Sequence, residues 1–291
     1  PGSDSKENFT IIGPGVSENP NQHVHIARPH GFNIGGARQP PGCVNSQHSH
    51  DTSEFFYVHS GTWSFDLGES GEDASIVLRP CDAISIPTRL FRGFKNVGED
   101  IGFLFAVLGG DEPGRVMWAP SVFDMAEQYG LILLDNGTLI DTTRGEAVPQ
   151  GSRPMPRTSR EQAEALQHFD DAALRQCCVL SDDIVPSDGA AGVVRRRIVH
   201  PQGALSWPHE FAVEEIRMEA GASLVLGMQA ANQVVFSQSG TTHITCDAVG
   251  TSIGAGDTAT ILPGVARRFD NRGDRPAKVL VVTAAQQPTA R

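Results

Sequence analysis

Gly42-Cys43-Val44-Asn45-Ser46-Gln47-His48-Ser49-His50-Asp51-Thr52-Ser53-Glu54-Phe55-Phe56-Tyr57-Val58-His59-Ser60-Gly61 is the stretch on which the reading of this chain turns. His48 and His50 stand one residue apart. On an extended strand side chains alternate with period two, so both imidazoles leave the same face. The polar turn Asp51-Thr52-Ser53 then returns the chain and lets Glu54 come back to the same place. Two imidazoles and a carboxylate converging from adjacent strands make a ligand set for a divalent transition ion such as Fe(II), Mn(II), Ni(II) or Zn(II). Phe56 and Val58 share the parity of Glu54 and are expected to line the same interior. An apolar wall with a few polar groups suits a small aromatic or carbonyl acid.

Outward from this stretch, strand patterns follow at 54–58, 62–67, 75–78, 83–86, 91–95 and 102–108, separated by Gly- and Pro-containing turns. Many short, regularly punctuated strands predict an all-β sandwich or barrel. After Pro113-Gly114 the pattern changes. Ser121 can open a helix with Val122, Met125, Ala126 and Tyr129 on one face, and Ser159 with Gln162 forms a capping-box pattern ahead of Leu166, Phe169 and Ala173. Strand patterns resume at 193–199 and continue to 278–282. The expected organisation is a first domain over 20–115, a partly helical, Pro-rich linker over 116–190 and a second domain over 191–285.

The two halves share a rhythm, and the opening motif recurs. Laid along the second half, it falls on Gly221 through Gly240, with both framing glycines at the same spacing. His48, His50 and Glu54 become Gly227, Gln229 and Gln233. A neutral amide is a poor ligand for a transition ion and glycine offers none. The second half is therefore expected to keep the barrel without a metal site of this kind.

The spacing Gly-x5-His-x-His-x3-Glu-x6-Gly resembles the first motif of the cupin superfamily at every signature position. The second motif of that superfamily, Gly-x5-Pro-x-Gly-x2-His-x3-Asn, aligns with Cys81, Pro87, Arg89, Arg92 and Asn96, and again with Gly256, Leu262, Gly264, Arg267 and Asn271. Both copies carry arginine, Arg92 or Arg267, where the family has its further histidine ligand; Cys81, Arg89 and Leu262 are milder departures. The resemblance implies two double-stranded β-helix (cupin, jelly-roll-like) barrels, a bicupin, with metal on His48, His50 and Glu54. A triad of two histidines and one carboxylate leaves about three positions open on an octahedral ion, the arrangement of non-haem Fe(II) oxygenases. By resemblance to cupin dioxygenases, the expectation is an oxygenase, with Fe(II) favoured over Mn, Ni or Zn, acting on a small anionic aromatic or dicarbonyl substrate.

In that reading an inward Arg92 holds a substrate carboxylate or enolate by paired hydrogen bonds. If Arg92 instead pairs with Glu54, the carboxylate is diverted from the metal. The alternatives are a small-ligand-binding cupin with an Arg-lined anion site and a metal-dependent isomerase or lyase. Paired cupin barrels commonly pack through a sheet edge, which makes a homodimer an expected partner arrangement.

The chain has 291 residues and a formal charge of −11 at pH 7, which argues against nucleic acid and anionic membranes as partners. Arg195-Arg196-Arg197, the one basic run, reads as an exposed strand edge. Five cysteines without paired spacing predict free thiols and a reducing compartment. No basic-then-apolar leader pattern and no membrane-length apolar run is present, so the expected location is the cytoplasm.

Overall fold

The computed structural model describes residues 6–16, 22–183 and 188–285. It divides into two compact units, one of residues up to Pro29 with Asn33–Cys178, the other of His30–Phe32 with residues from Val179 onward. Residues 116–178, read above as linker, thus belong with the first unit. Val116–Trp118 pairs with Val44–His50, and helix Asp171–Gln176 lies against strand Ala74–Leu78.

In the first unit a separate two-stranded sheet pairs Leu131–Leu133 with Leu139–Asp141, and two large sheets build the core. In one, Ala83–Ile86, Glu54–Ser60, Gly102–Gly109, Phe32–Gln39 and Glu7–Ile12 lie side by side in that order. In the other the order is Val116–Trp118, Val44–His50, Arg92–Asn96, Trp63–Leu67 and Ala74–Leu78. The central strands are apolar on both faces, as buried strands must be, and Phe55, Phe56, Tyr57 and Val58 are all buried. Phe56 of the first sheet meets Phe65 and Phe94 of the second at ring-centroid distances of 5.2 and 5.3 Å, which places the core between the sheets. The His strand and the Glu strand therefore belong to facing sheets, and Asp51-Thr52-Ser53 is the corner between them.

The second unit repeats the plan with a sheet containing Val193–Val199, Phe211–Met218, Ala277–Ala284, Gln233–Ser239 and Thr258–Ile261, and another of Ser223–Leu226, Arg267–Asp270, Thr242–Cys246 and Val249–Ile253. Its core is mainly aliphatic and includes Ile216, Val235, Ile244 and Val281, with Phe211, Phe236 and Phe269 also buried. Arg195-Arg196-Arg197 is not an open edge. Its strand is paired on both sides, and Arg195 and Arg196 meet Glu214 and Glu215 on the neighbouring strand.

The repeat is exact at its turns. Gly42 and Gly221 both have φ 76°, and their amides donate to Asn96 O and Asn271 O at 2.8 and 2.9 Å. Asn96 Nδ2 ties Gln39 O to Asp100 O, and Asn271 Nδ2 ties Met218 O to Arg275 O in the same way. A Cβ on Gly61 would lie 2.7 Å from Gly102 Cα, and one on Gly240 would lie 2.8 Å from Ala277 Cα. Only glycine tolerates both the close approach and the left-handed backbone at these positions.

The helical segment differs from expectation in its boundaries. The first helix spans Pro120–Gln128 and begins after Ala119, with Pro120 in its first turn, so Ser121 lies inside it. The Ser159/Gln162 capping box forms as expected, but its helix is only Arg160–Glu164. Asp170 accepts from Ala173 N and caps a separate helix, Asp171–Gln176, so Leu166 and Ala173 lie on different segments.

Candidate metal centre

The position of each ligand follows from register. His48 sits on a strand flanked by Arg92 on one side and Trp118 on the other, both directly opposite it. Residues directly opposite share a face, so His48, Arg92 and Trp118 project together into the interior. A register shift between Asn45 and His48 marks a bulge just before the first histidine. The bulge is held by Gln47, whose Nε2 donates to Asp66 O and Gly68 O at 2.8 and 2.9 Å. Such irregularities re-aim the side chains that follow them. From the facing sheet, Glu54 enters the same space after the three-residue corner.

His48, His50 and Glu54 are all buried, and one ligand atom from each lies within 4.8 Å of the others. They are the only group of three or more His, Cys, Asp or Glu side chains so arranged among the described residues. Ser46 O accepts from His48 Nδ1 at 2.7 Å, which fixes the tautomer and leaves the Nε2 lone pair for a ligand. Burial, and after it the charge of Arg92, lowers the His48 pKa to about 3. The ring is therefore a neutral imidazole, the form that binds metal. His50 Nε2 lies 3.2 Å from Glu54 Oε2, and His50 Nδ1 is buried without a partner among the described residues. Two imidazoles and a carboxyl group in one buried pocket fit a divalent transition ion.

Arg92 is fully buried. Its Nη2 donates to Glu54 Oε2 at 2.7 Å, its Nη1 reaches His48 O at 3.4 Å, and its Nε has no partner among the described residues. Burial pushes Glu54 up to about 8 and Arg92 down to about 9. Their contact offsets that cost, since each supplies the opposite charge that the other lacks in a dry interior. The pairing anticipated as a competitor for the carboxylate is thus present. It engages Oε2 alone, and His48 and His50 still converge with Glu54.

Phe56 and Val58, expected along the same interior, are buried at 2% and 0% exposure. Phe56 is packed into the Phe65–Phe94 aromatic cluster, with Phe94 two residues beyond Arg92 on the same face. One residue of the interior escaped the sequence reading. The Trp118 ring lies 5.3 Å from that of His48, and its indole N–H is buried without a partner among the described residues. Its three-residue strand had been absorbed into the presumed linker. The short apolar run Val116-Met117-Trp118 was the available signal.

Among the described residues no helix is long and apolar enough to cross a membrane. No curated protein matches the chain in sequence. In fold it is similar to the oxalate decarboxylase of Bacillus subtilis solved at pH 4.6, with 14% identity, 96% of this chain and 74% of that chain covered, and a TM-score of 0.60. A further structure of that enzyme, from a study of its Mn(II) centres, covers 98% of this chain and 76% of its own at 14% identity and a TM-score of 0.58. Vicilin from hazelnut, Corylus avellana, is similar at 13% identity, with 87% of this chain and 75% of that chain covered and a TM-score of 0.56. Likeness at this level concerns the fold, which a decarboxylase and a vicilin share. Residues 37–108, which contain the whole His-x-His-x3-Glu stretch, match the Cupin domain family. That match identifies a cupin domain over residues 37–108, and with the turn architecture repeated in the second unit the fold of the chain is similar to that of the bicupin oxalate decarboxylase.

Proposed function

We propose that the chain is a metal-dependent bicupin oxygenase whose first barrel acts on a small anionic substrate of aromatic or dicarbonyl type. The observation that supports this most is the convergence of His48, His50 and Glu54 within 4.8 Å, with the Arg92 guanidinium against the carboxylate. A resident divalent ion, Fe(II) ahead of Mn, Ni or Zn, would supply open coordination positions where substrate oxygens and dioxygen meet. His48 and His50 would hold it as neutral imidazoles. Arg92 orients Glu54 through Nη2, and its unpartnered Nε–H is the donor left to orient a substrate anion. Phe56 and Val58 form the apolar floor that keeps water from the reacting groups.

A second reading, a non-oxidative lyase, is favoured by the fold shared with oxalate decarboxylase. Elemental analysis of protein purified without added metal tests both. Less than about a tenth of an equivalent of any transition metal, with none taken up on addition, overturns the metal reading and leaves a small-ligand binder. With metal present, oxygen uptake on a panel of catechols, gentisate-like acids and diketones supports the oxygenase. Carbon dioxide release from oxalate without oxygen uptake supports the lyase. A homodimer formed through a sheet edge belongs to the same proposal, and sedimentation velocity measures it.

A further inference from the structure

In the second barrel, Arg267 and Gln233 stand at the motif positions that Arg92 and Glu54 hold in the first. Arg267 lies opposite Leu226 on one side and Cys246 on the other, both packed on the core, and its side chain is 8% exposed. Gln233 is 5% exposed. The exchange of carboxylate for amide has a direct electrostatic result. Arg92 finds a carboxylate at 2.7 Å, whereas Arg267 makes no ion pair among the described residues.

Instead Arg267 Nη1 donates to the backbone carbonyl of Gly227, and its Nε is buried without a partner among the described residues. Arg195 and Glu214, the nearest charged pair, satisfy each other through two hydrogen bonds of 2.9 and 2.8 Å. Glu214 acts on Arg267 through its field, and Arg267 has no direct ion pair of its own among the described residues. An unpaired buried cation is costly, and the usual resolution is an anion that comes from elsewhere.

The surroundings can receive one. Gly227 stands where the first barrel carries His48; it is exposed and a Cβ there would meet nothing within 4 Å, so the Arg267 end of the strand is open to solvent. Gln233 Nε2 donates to Thr283 Oγ1 at 2.8 Å while Oε1 is buried without a partner among the described residues. Turned end for end, the amide would accept the Thr283 hydroxyl on Oε1 and free its NH2 group as a donor, at the motif position from which Glu54 meets Arg92 in the first barrel.

We infer that the second barrel holds a metal-free binding site for a small carboxylate, built from the Arg267 guanidinium and the Gln233 amide and opened by the loss of side chain at Gly227. The site is independent of the metal reading of the first barrel. A guanidinium takes a carboxylate through paired, charge-assisted hydrogen bonds, and Arg267 retains the donors for this because no protein carboxylate occupies them.

Acetate is the probe, followed by 1H saturation-transfer NMR on the full chain as purified. Gln233→Glu is the decisive variant, because it recreates the Glu54–Arg92 pair inside the second barrel and fills the site from within. The wild-type chain is expected to show a binding component whose Kd rises by at least about tenfold in Gln233→Glu, the scale of one lost charge-assisted interaction. The variant should also unfold at an equal or higher temperature. Arg267→Met removes the same component if it folds; the inference stands or falls on Gln233→Glu alone. No acetate binding to the wild-type chain, or binding of equal affinity in folded Gln233→Glu, overturns it.

Discussion

Arg92 and Glu54 form a buried ion pair across the two sheets of the first barrel, Nη2 to Oε2 at 2.7 Å, with the guanidinium fully enclosed. Breaking such a pair from one side leaves the other charge uncompensated, which costs about 3–5 kcal/mol. Arg92→Met is therefore expected to destabilise the metal-free chain by about that amount. The loss should be smaller once a divalent cation is bound, because the ion supplies Glu54 with a second positive neighbour. Urea unfolding with and without metal measures both. The double variant Arg92→Met/Glu54→Gln should lose less stability than the sum of its parts. Additive losses would show that the contact carries no coupling.

Substitution of the ligands separates metal binding from folding. His48→Ala removes one of three donors and with it stoichiometric metal retention, while the strand pairing on both sides of His48 preserves the barrel. Trp118→Phe keeps the ring beside His48 and deletes an indole N–H that has no partner among the described residues. Its stability should change by less than about 0.5 kcal/mol and its metal content not at all, since no hydrogen bond is lost. A rise in KM of about tenfold would place that N–H on the substrate. Thermal scans and elemental analysis on the two variants distinguish these outcomes.

The convergence of His48, His50 and Glu54 and the second barrel were legible because each rests on a local period. His48 and His50 share a face through strand alternation, and the glycines at 42, 61, 221 and 240 recur at fixed spacing because each turn needs a left-handed backbone. What the sequence did not reveal was long-range pairing. Trp118 reaches His48 through a three-residue strand whose partner lies about 70 positions away, and no local pattern encodes that register. The partner of Arg92 was foreseeable as an electrostatic necessity, yet its use of Oε2 and the orphaned Nε emerged only from geometry. Arg195-Arg196-Arg197 was misread for a related reason, because the glutamates that answer it lie on the next strand.

Two departures from the second motif carry a conformational cost. Cys81 and Arg89 adopt φ values of 75° and 59°, where the matching residues of the second barrel are Gly256 and Gly264 at 86° and 81°. A non-glycine residue in this region costs on the order of 1 kcal/mol. Arg89 recovers part of that through a hydrogen bond from Nη2 to Ala165 O at 2.7 Å. Cys81→Gly is accordingly expected to raise stability by about 0.5–1 kcal/mol net of the added freedom of the unfolded chain. Arg89→Gly should gain less or lose. Chemical denaturation midpoints at constant m-value test the ordering.

Acid sensitivity of the second unit should centre on His209. Its ring lies 3.6 Å from that of Trp207, and its Nδ1 is 2.7 Å from Trp207 O. Burial lowers its pKa from 6.5 to about 4, against the smaller opposing effect of that carbonyl contact. Because the folded value lies below the unfolded one, the unfolded chain takes up a proton that the folded chain refuses as pH falls below 6.5. The contribution of His209 is therefore fully present above about pH 6.5, declines between 6.5 and about 4, and is flat below. His48 is shifted in the same direction by burial, so the wild-type slope contains both groups. His209→Phe keeps the aromatic contact and removes the titration. Its stability should fall less steeply than that of the wild type between neutrality and pH 4, as read from urea midpoints across that range. Parallel pH profiles for the two chains would mean that His209 titrates alike in the folded and unfolded states.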